Sequence, residues 1–360
     1  MRQLVIKEND LAHNIQKIRE AVKGKPIIGV IKGNAYGMGL LQFARLLTMN
    51  DVDFFAVYDI NDAKALRQGG FNNEILILAS IADDIILRDL VKWELTATIG
   101  SFAAMHALEE ASDYMKMQAK AHVELETGFG RSGFLPEEID NLILTLKKNE
   151  KIKINGIYSH LSQASSKKKK LVRKQVDLFN TGVERINAAG IATPLRHISS
   201  SGTVMRMPET HLDAVRVGSA LLGRLSTRSN YGLRRVGYLR SNIIEIKTLP
   251  KGHNIGYANR YKTKTDTVIA IVPVGYSDGY GYNGVKENRK IRDIFSIIKR
   301  FVFSKKMTIS FNGKPIEILG RIGMTNIVID VTGRDAKVGD TVILDCNPIF
   351  VRTTIERAYI

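Results

Sequence analysis

Through the first two thirds of the chain, short apolar runs rich in Val, Ile and Phe alternate with longer stretches whose apolar residues recur three and four positions apart. The first pattern suits a strand buried on both faces and the second a helix with one apolar stripe. Their alternation predicts repeated βα units feeding a parallel sheet. Strands are predicted at 26–31, 54–57, 75–78, 95–98, 119–125, 154–158, 195–199 and 214–217, with helices between them at 60–68, 102–112, 136–147 and 172–189. Asp, Ser or Pro opens several of these helices, residues suited to the unpaired N–H groups of a first turn. Eight such strands predict an α/β fold closed as a (β/α)8 TIM-like barrel.

From about Val236 the texture changes, and β-rich runs separated by Gly, Pro, Asn and Asp replace the helical periodicity. Asn312-Gly313, between runs at 309–311 and 316–319, reads as a tight hairpin turn, and runs at 327–331 and 341–344 continue the pattern. The expected organisation is therefore a barrel over 1–235 and a C-terminal mainly-β domain over 236–360, with residues 1–8 available to pair with the β domain. The basic, helix-like stretch 286–306 reads as an insertion outside the β sheets.

Lys and Arg outnumber Asp and Glu by 53 to 36, a net charge of +17, which attracts anions from nucleic acid to a phosphorylated cofactor. The basic residues are dispersed, however, and the densest run, 167–170, has no interleaved aromatics on which bases would stack. Neither nucleic acid nor membrane is expected as a partner. The single cysteine, Cys346, cannot form an internal disulfide, and neither a signal-peptide pattern nor an apolar run of about 18–20 residues is present, so a cytoplasmic protein is expected.

In a barrel, functional groups gather at the C-terminal ends of the strands. There the sequence places Lys32 after the first strand, Arg131 after the fifth, His160 after the sixth, Ser200 and Ser201 after the seventh and Arg216 at the eighth. Lys32 leaves an apolar strand for a glycine-rich turn, Lys32-Gly33-Asn34-Ala35-Tyr36-Gly37-Met38-Gly39. Burial there lowers an ammonium pKa and frees the amine to attack a carbonyl. A lone lysine in such a place is usually a solvated surface residue; the convergence of the other groups on one rim argues otherwise.

The segment 30–39 closely resembles the cofactor-lysine motif of alanine racemases, and the resemblance runs along nearly the whole chain. Glu126 to Phe134 is similar to the segment carrying the substrate-carboxylate arginine, Ser159-His160 to a histidine near the cofactor ring, and 196–202 to the phosphate-binding turn. Leu212 to Gly218 matches the stretch whose arginine meets the ring nitrogen, and Ile255-Gly256-Tyr257 the catalytic tyrosine. Segments 274–280 and 320–324 match two landmarks of the β domain. The resemblance implies a pyridoxal 5'-phosphate-dependent racemase of alanine or a related small amino acid, acting with two bases, Lys32 and Tyr257. It implies cofactor contacts from Lys32, Tyr36, His160, Ser200, Ser201, Arg216, Gly218 and Ser219, and substrate contacts from Arg131, Tyr276, Met324 and Thr325. No metal is expected. A homodimer is implied, with Tyr257 supplied across the subunit boundary.

The sequence departs from the family pattern in several places. Glu126 and Thr325 stand where Asp is usual and Ser200 where Asn is usual, and a tyrosine position counted back from Arg357 falls on Thr353. The smaller residue at 353 predicts a roomier substrate pocket, open to serine or to ornithine or lysine, with alanine still the leading candidate. Two other readings compete: a barrel decarboxylase using the same cofactor, which pairs the ring nitrogen with an acid rather than an Arg216, and a non-catalytic cofactor-binding barrel, which lacks a β domain and a Tyr257.

Overall fold

The computed structural model describes residues 2–166, 169–227, 229–281 and 309–360. The expected insertion at 286–306 and two lysines of the 167–170 run lie outside the described residues. The chain divides into two compact units, Glu8–Val236 and Met1–Lys7 with Gly237–Ile360.

The larger unit holds eight parallel strands. Their order across the sheet is Arg196–His197, Ile152–Tyr158, Ala119–Glu124, Thr96–Ile99, Ile75–Ser80, Phe54–Val57, Ile27–Val30 and Val215–Val217. Two backbone bonds bridge the remaining seam, from Asp213 N–H to the Arg196 carbonyl and from Arg216 N–H to the Ser199 carbonyl, both 3.1 Å, so the sheet is nearly closed as a barrel. Ile28, Val30, Ala56, Leu76, Tyr158 and Ala214 form a buried cluster, with alternate strand positions filling the interior rather than leaving a pore. Gly29, on the opposite face, lets helix Leu40–Thr48 approach: a Cβ there would lie 3.0 Å from a Leu47 methyl. Asp59, Asp83 and Ser101 cap the helices that follow them by accepting from the N–H groups of Asn61, Ile86 and Ala104, worth about 1 kcal/mol each.

Two local differences from the sequence reading have physical causes. The seventh strand, expected over 195–199, is regular only at Arg196–His197; the Leu195 and Ser199 carbonyls still accept from the N–H groups of Ile157 and Arg216 at 2.9 and 3.1 Å, but Ser200 turns back and its carbonyl accepts from the N–H groups of Thr203 and Val204, both 2.9 Å. The helix expected from 136 starts instead as a tight turn, Pro136–Glu138, before regular helix at Ile139–Lys148. No described helix is long and apolar enough to cross a membrane.

The smaller unit is mainly β. Gln3–Ile6 pairs antiparallel with Gly237–Asn242 and parallel with Glu356–Tyr359 in a sheet of six strands, while Glu245–Leu249, Thr267–Val272, Ile327–Asp330 and Ile318–Leu319 form a sheet of four. Asn312 and Gly313, with φ of 50° and 72°, make the tight turn between Ile309–Phe311 and Lys314–Ile316. The run expected at 316–319 is split between sheets. Ile316 stays in the hairpin, and Ile318–Leu319 pairs with Ile327–Asp330.

Candidate active site

A cavity of about 270 Å³ opens at the C-terminal ends of the barrel strands. It brings together Lys32, Tyr36, Arg131, His160, Ser200, Ser201, Arg216, Gly218 and Ser219, which arrive from five separate stretches of sequence.

Lys32 follows the strand Ile27–Val30 and begins a left-handed turn: Gly33, Asn34, Ala35 and Tyr36 have φ of 61°, 55°, 53° and 54°. The Ala35 N–H bonds to the Ile31 carbonyl at 2.9 Å, and Asn34 Oδ1 accepts from the Leu40 N–H at 2.8 Å, tying the turn to the next helix. Such backbone is costly for residues other than glycine, so the surroundings hold it. Burial first, then the charges of Arg131 and Arg216, pull the Lys32 amine below its ordinary pKa.

Arg216 is 4% exposed and fully engaged on its protein side. Its guanidinium donates to His197 Nδ1 at 2.5 Å, the His197 carbonyl at 2.9 Å, the Ser159 carbonyl at 2.7 Å and His160 Nδ1 at 3.4 Å. Since arginine only donates, His197 Nδ1 must accept, which leaves the proton on Nε2 to be donated to His122 Nδ1, 2.8 Å away. Tyr158 stacks on His197 at 5.0 Å and lies 4.7 Å from the Arg216 guanidinium. Burial pulls the Arg216 pKa down, but this cradle of acceptors suits only the charged form. Burial, followed by Arg216, Arg131 and Lys32, holds His160 down to about 3, so it is a neutral imidazole at physiological pH.

At the opposite end of the cavity the donors are neutral. Ser201 Oγ accepts from the N–H groups of Gly218 at 3.0 Å and Ala220 at 3.1 Å, which leaves its own proton to point elsewhere. A Cβ on Gly218 would overlap the Tyr36 phenol, so glycine is what allows this hydroxyl beside the Ser201 turn. Burial raises the Tyr36 pKa, keeping it a donor. The Ser201 and Tyr36 hydroxyls therefore offer hydrogen-bond donors without a fixed charge, a setting suited to an anion such as phosphate. The cavity lining thus combines an amine, a caged guanidinium and a group of hydroxyls, the donor types that could hold a phosphorylated aldehyde cofactor.

Arg131 stands on the rim loop that follows Ala119–Glu124. Its guanidinium lies 4.6 Å from the Phe129 ring and 3.9 Å from the carboxylate of Glu124. Glu124 is 2% exposed, accepts from Ser132 Oγ, and has its pKa raised chiefly by burial. Neither Glu124 nor Tyr158 was singled out from the sequence. An acid at the C-terminal end of a barrel strand was the available signal for the first, and adjacency to Ser159-His160 for the second.

Tyr257, Tyr276, Met324 and Thr325 belong to the smaller unit. Tyr257 is 72% exposed in a turn where Gly256 and Ala258 have φ of 75° and 60°. The N–H groups of Tyr276 and Ser277 bond to the carbonyls of Gly323 and Met324, both 3.0 Å, which joins the two landmark segments. Asp278, almost wholly buried, anchors that turn by accepting from the Gly275 N–H at 3.0 Å and from Arg2 at 2.9 and 3.1 Å.

An eight-stranded parallel barrel with an amine-bearing rim lysine, a caged arginine and a group of hydroxyls, together with a mainly-β unit, defines the barrel class of amino-acid racemases. The family of alanine racemase N-terminal domains matches residues 6–226 and that of alanine racemase C-terminal domains matches 236–356. The chain belongs to the alanine racemase family and is an isomerase of that type. It is 35% identical to an alanine racemase of Clostridium tetani, over 93% of this chain and 83% of that one, and 33% identical to one of Clostridium novyi, over 93% and 84%. The solved alanine racemase of Clostridium difficile 630 superposes with a TM-score of 0.87 at 27% identity, covering 100% of this chain and 95% of that one.

Proposed function

We propose that the protein interconverts L- and D-alanine with pyridoxal 5'-phosphate, using Lys32 and Tyr257 as opposed proton carriers. The observation that carries this reading is the shared cavity, where a lysine of lowered pKa, a caged arginine and a group of hydroxyls lie along one ligand-sized space. The cofactor supplies electron withdrawal that acidifies the substrate's Cα–H. Tyr36, Ser200, Ser201, Gly218 and Ser219 would hold its phosphate, and Arg216 would face its ring nitrogen. A permanently charged donor there would leave the ring nitrogen unprotonated, limiting charge delocalisation into the ring and discouraging side reactions.

Arg131 binds the substrate carboxylate, for which a guanidinium fork suits two oxygens. Lys32 Nζ takes or returns the α-proton on one face, and the Tyr257 phenol does so on the other, each base acting as the acid in reverse. His160, neutral, packs and accepts a hydrogen bond rather than carrying the proton. Tyr276, Met324 and Thr325 bound the substrate side chain. Tyr257 comes from a second copy of the chain, so the working form is a homodimer, in the cytoplasm. Mixing inactive Lys32→Ala and Tyr257→Phe chains tests this: heterodimers regain one intact site and part of the activity, whereas no recovery on subunit exchange overturns the shared site.

A further inference from the structure

After Ala119–Glu124 the chain makes a loop closed at its base. The Glu126 N–H donates to the Phe134 carbonyl and the Phe134 N–H to the Glu124 carbonyl, both 2.9 Å. Inside the loop, Gly128 and Gly130 have φ of 121° and 75°, conformations that glycine reaches freely and equally leaves freely, while Gly133, at 111°, is tied by its N–H to the Gly100 carbonyl at 3.1 Å. Closure of the base does not fix the tip. The Glu126 carboxylate does: Oε1 accepts from the N–H groups of Gly128 and of Phe129 at 2.6 Å, and Oε2 from those of Gly130 at 2.8 Å and Arg131 at 3.4 Å. Four successive N–H groups turned inward make the kind of nest that usually captures an anion, here filled by the chain's own side chain.

We infer that Glu126 is a positioning residue for substrate recognition, setting the backbone of 128–131 so that Arg131 is presented to the substrate carboxylate. The inference rests on the racemase reading above. The backbone so held carries both side chains of the rim contact, with the Arg131 guanidinium 4.6 Å from the Phe129 ring and that ring edge-on to His160 at 4.9 Å and 74°. Glu124 touches the guanidinium from behind but accepts from Ser132, not from the tip's N–H groups. Aspartate at 126, one methylene shorter, caps the first N–H groups in an Asx turn and falls short of the last. Glutamate reaches all four.

The test uses the cofactor-loaded protein, Glu126→Ala and Glu126→Asp. Because Glu126 acts through a group that binds the substrate's unreacting end, Glu126→Ala raises the KM for alanine about tenfold and weakens calorimetric binding of propionate by a similar factor, while kcat and cofactor affinity stay within about twofold. Glu126→Asp falls between, a partial rescue that general loosening does not give. Unchanged KM and propionate binding overturns the assignment. So does a joint fall of kcat, cofactor affinity and thermal midpoint, which marks a merely structural residue. A parent protein that binds propionate in a Glu126-dependent way but does not racemise alanine sinks the functional reading and leaves the assignment standing.

Discussion

At the scale of single residues, the charged cavity is stable because its histidines are kept neutral. Burial first, then Arg216, depresses His122 to about 3, and the same causes act on His160. An unfolded histidine titrates near 6.5, so between about 6.5 and 3 the unfolded chain binds protons that the folded chain refuses. The contribution of these residues is complete above about pH 6.5 and is lost as the pH falls towards 3. The urea midpoint is therefore expected to fall between pH 7.5 and pH 5, and His122→Gln to make that fall shallower. An equal fall in parent and variant contradicts the buried, neutral His122. Individual residues were unevenly legible from sequence. Lys32, Arg131, His160 and Arg216 stand in recognisable local motifs. The His122–His197 contact joins positions 75 apart, and nothing local to either announces it.

At the scale of elements, the alternation of apolar runs and helical stripes was enough to place all eight barrel strands, since strands buried on both faces leave a strong signal. Ends were less legible. The seventh strand shortens because a turn around Ser200 competes for its backbone bonds, and the 316–319 run divides between two sheets because strand partners are chosen by tertiary pairing. The left-handed turn after Lys32 was only half visible, because Gly33 and Asn34 favour positive φ but Ala35 and Tyr36 do not. Its strain is expected to be measurable: at roughly 1–2 kcal/mol per left-handed residue, Ala35→Gly relieves enough to offset the buried methyl and the chain entropy it loses, about 0.8 and 0.4–1 kcal/mol, so the thermal midpoint should hold where a buried Ala→Gly ordinarily lowers it. A lower midpoint removes the claim that Ala35 is strained.

At the scale of the whole molecule, a barrel unit brings a lysine, two arginines and a group of hydroxyls into one cavity, and a mainly-β unit displays an exposed tyrosine on a strained turn. Inversion of a carbon needs a proton carrier on each face, and under the proposed function these are Lys32 and Tyr257. The most direct test is deuterium uptake at the α-carbon of alanine in heavy water, begun separately from each enantiomer with cofactor present. The account predicts that the parent protein labels and inverts both enantiomers, that Lys32→Ala does neither, and that Tyr257→Phe labels one enantiomer without inverting it. Absence of labelling by the parent, or inversion at the parental rate by either variant, would contradict it.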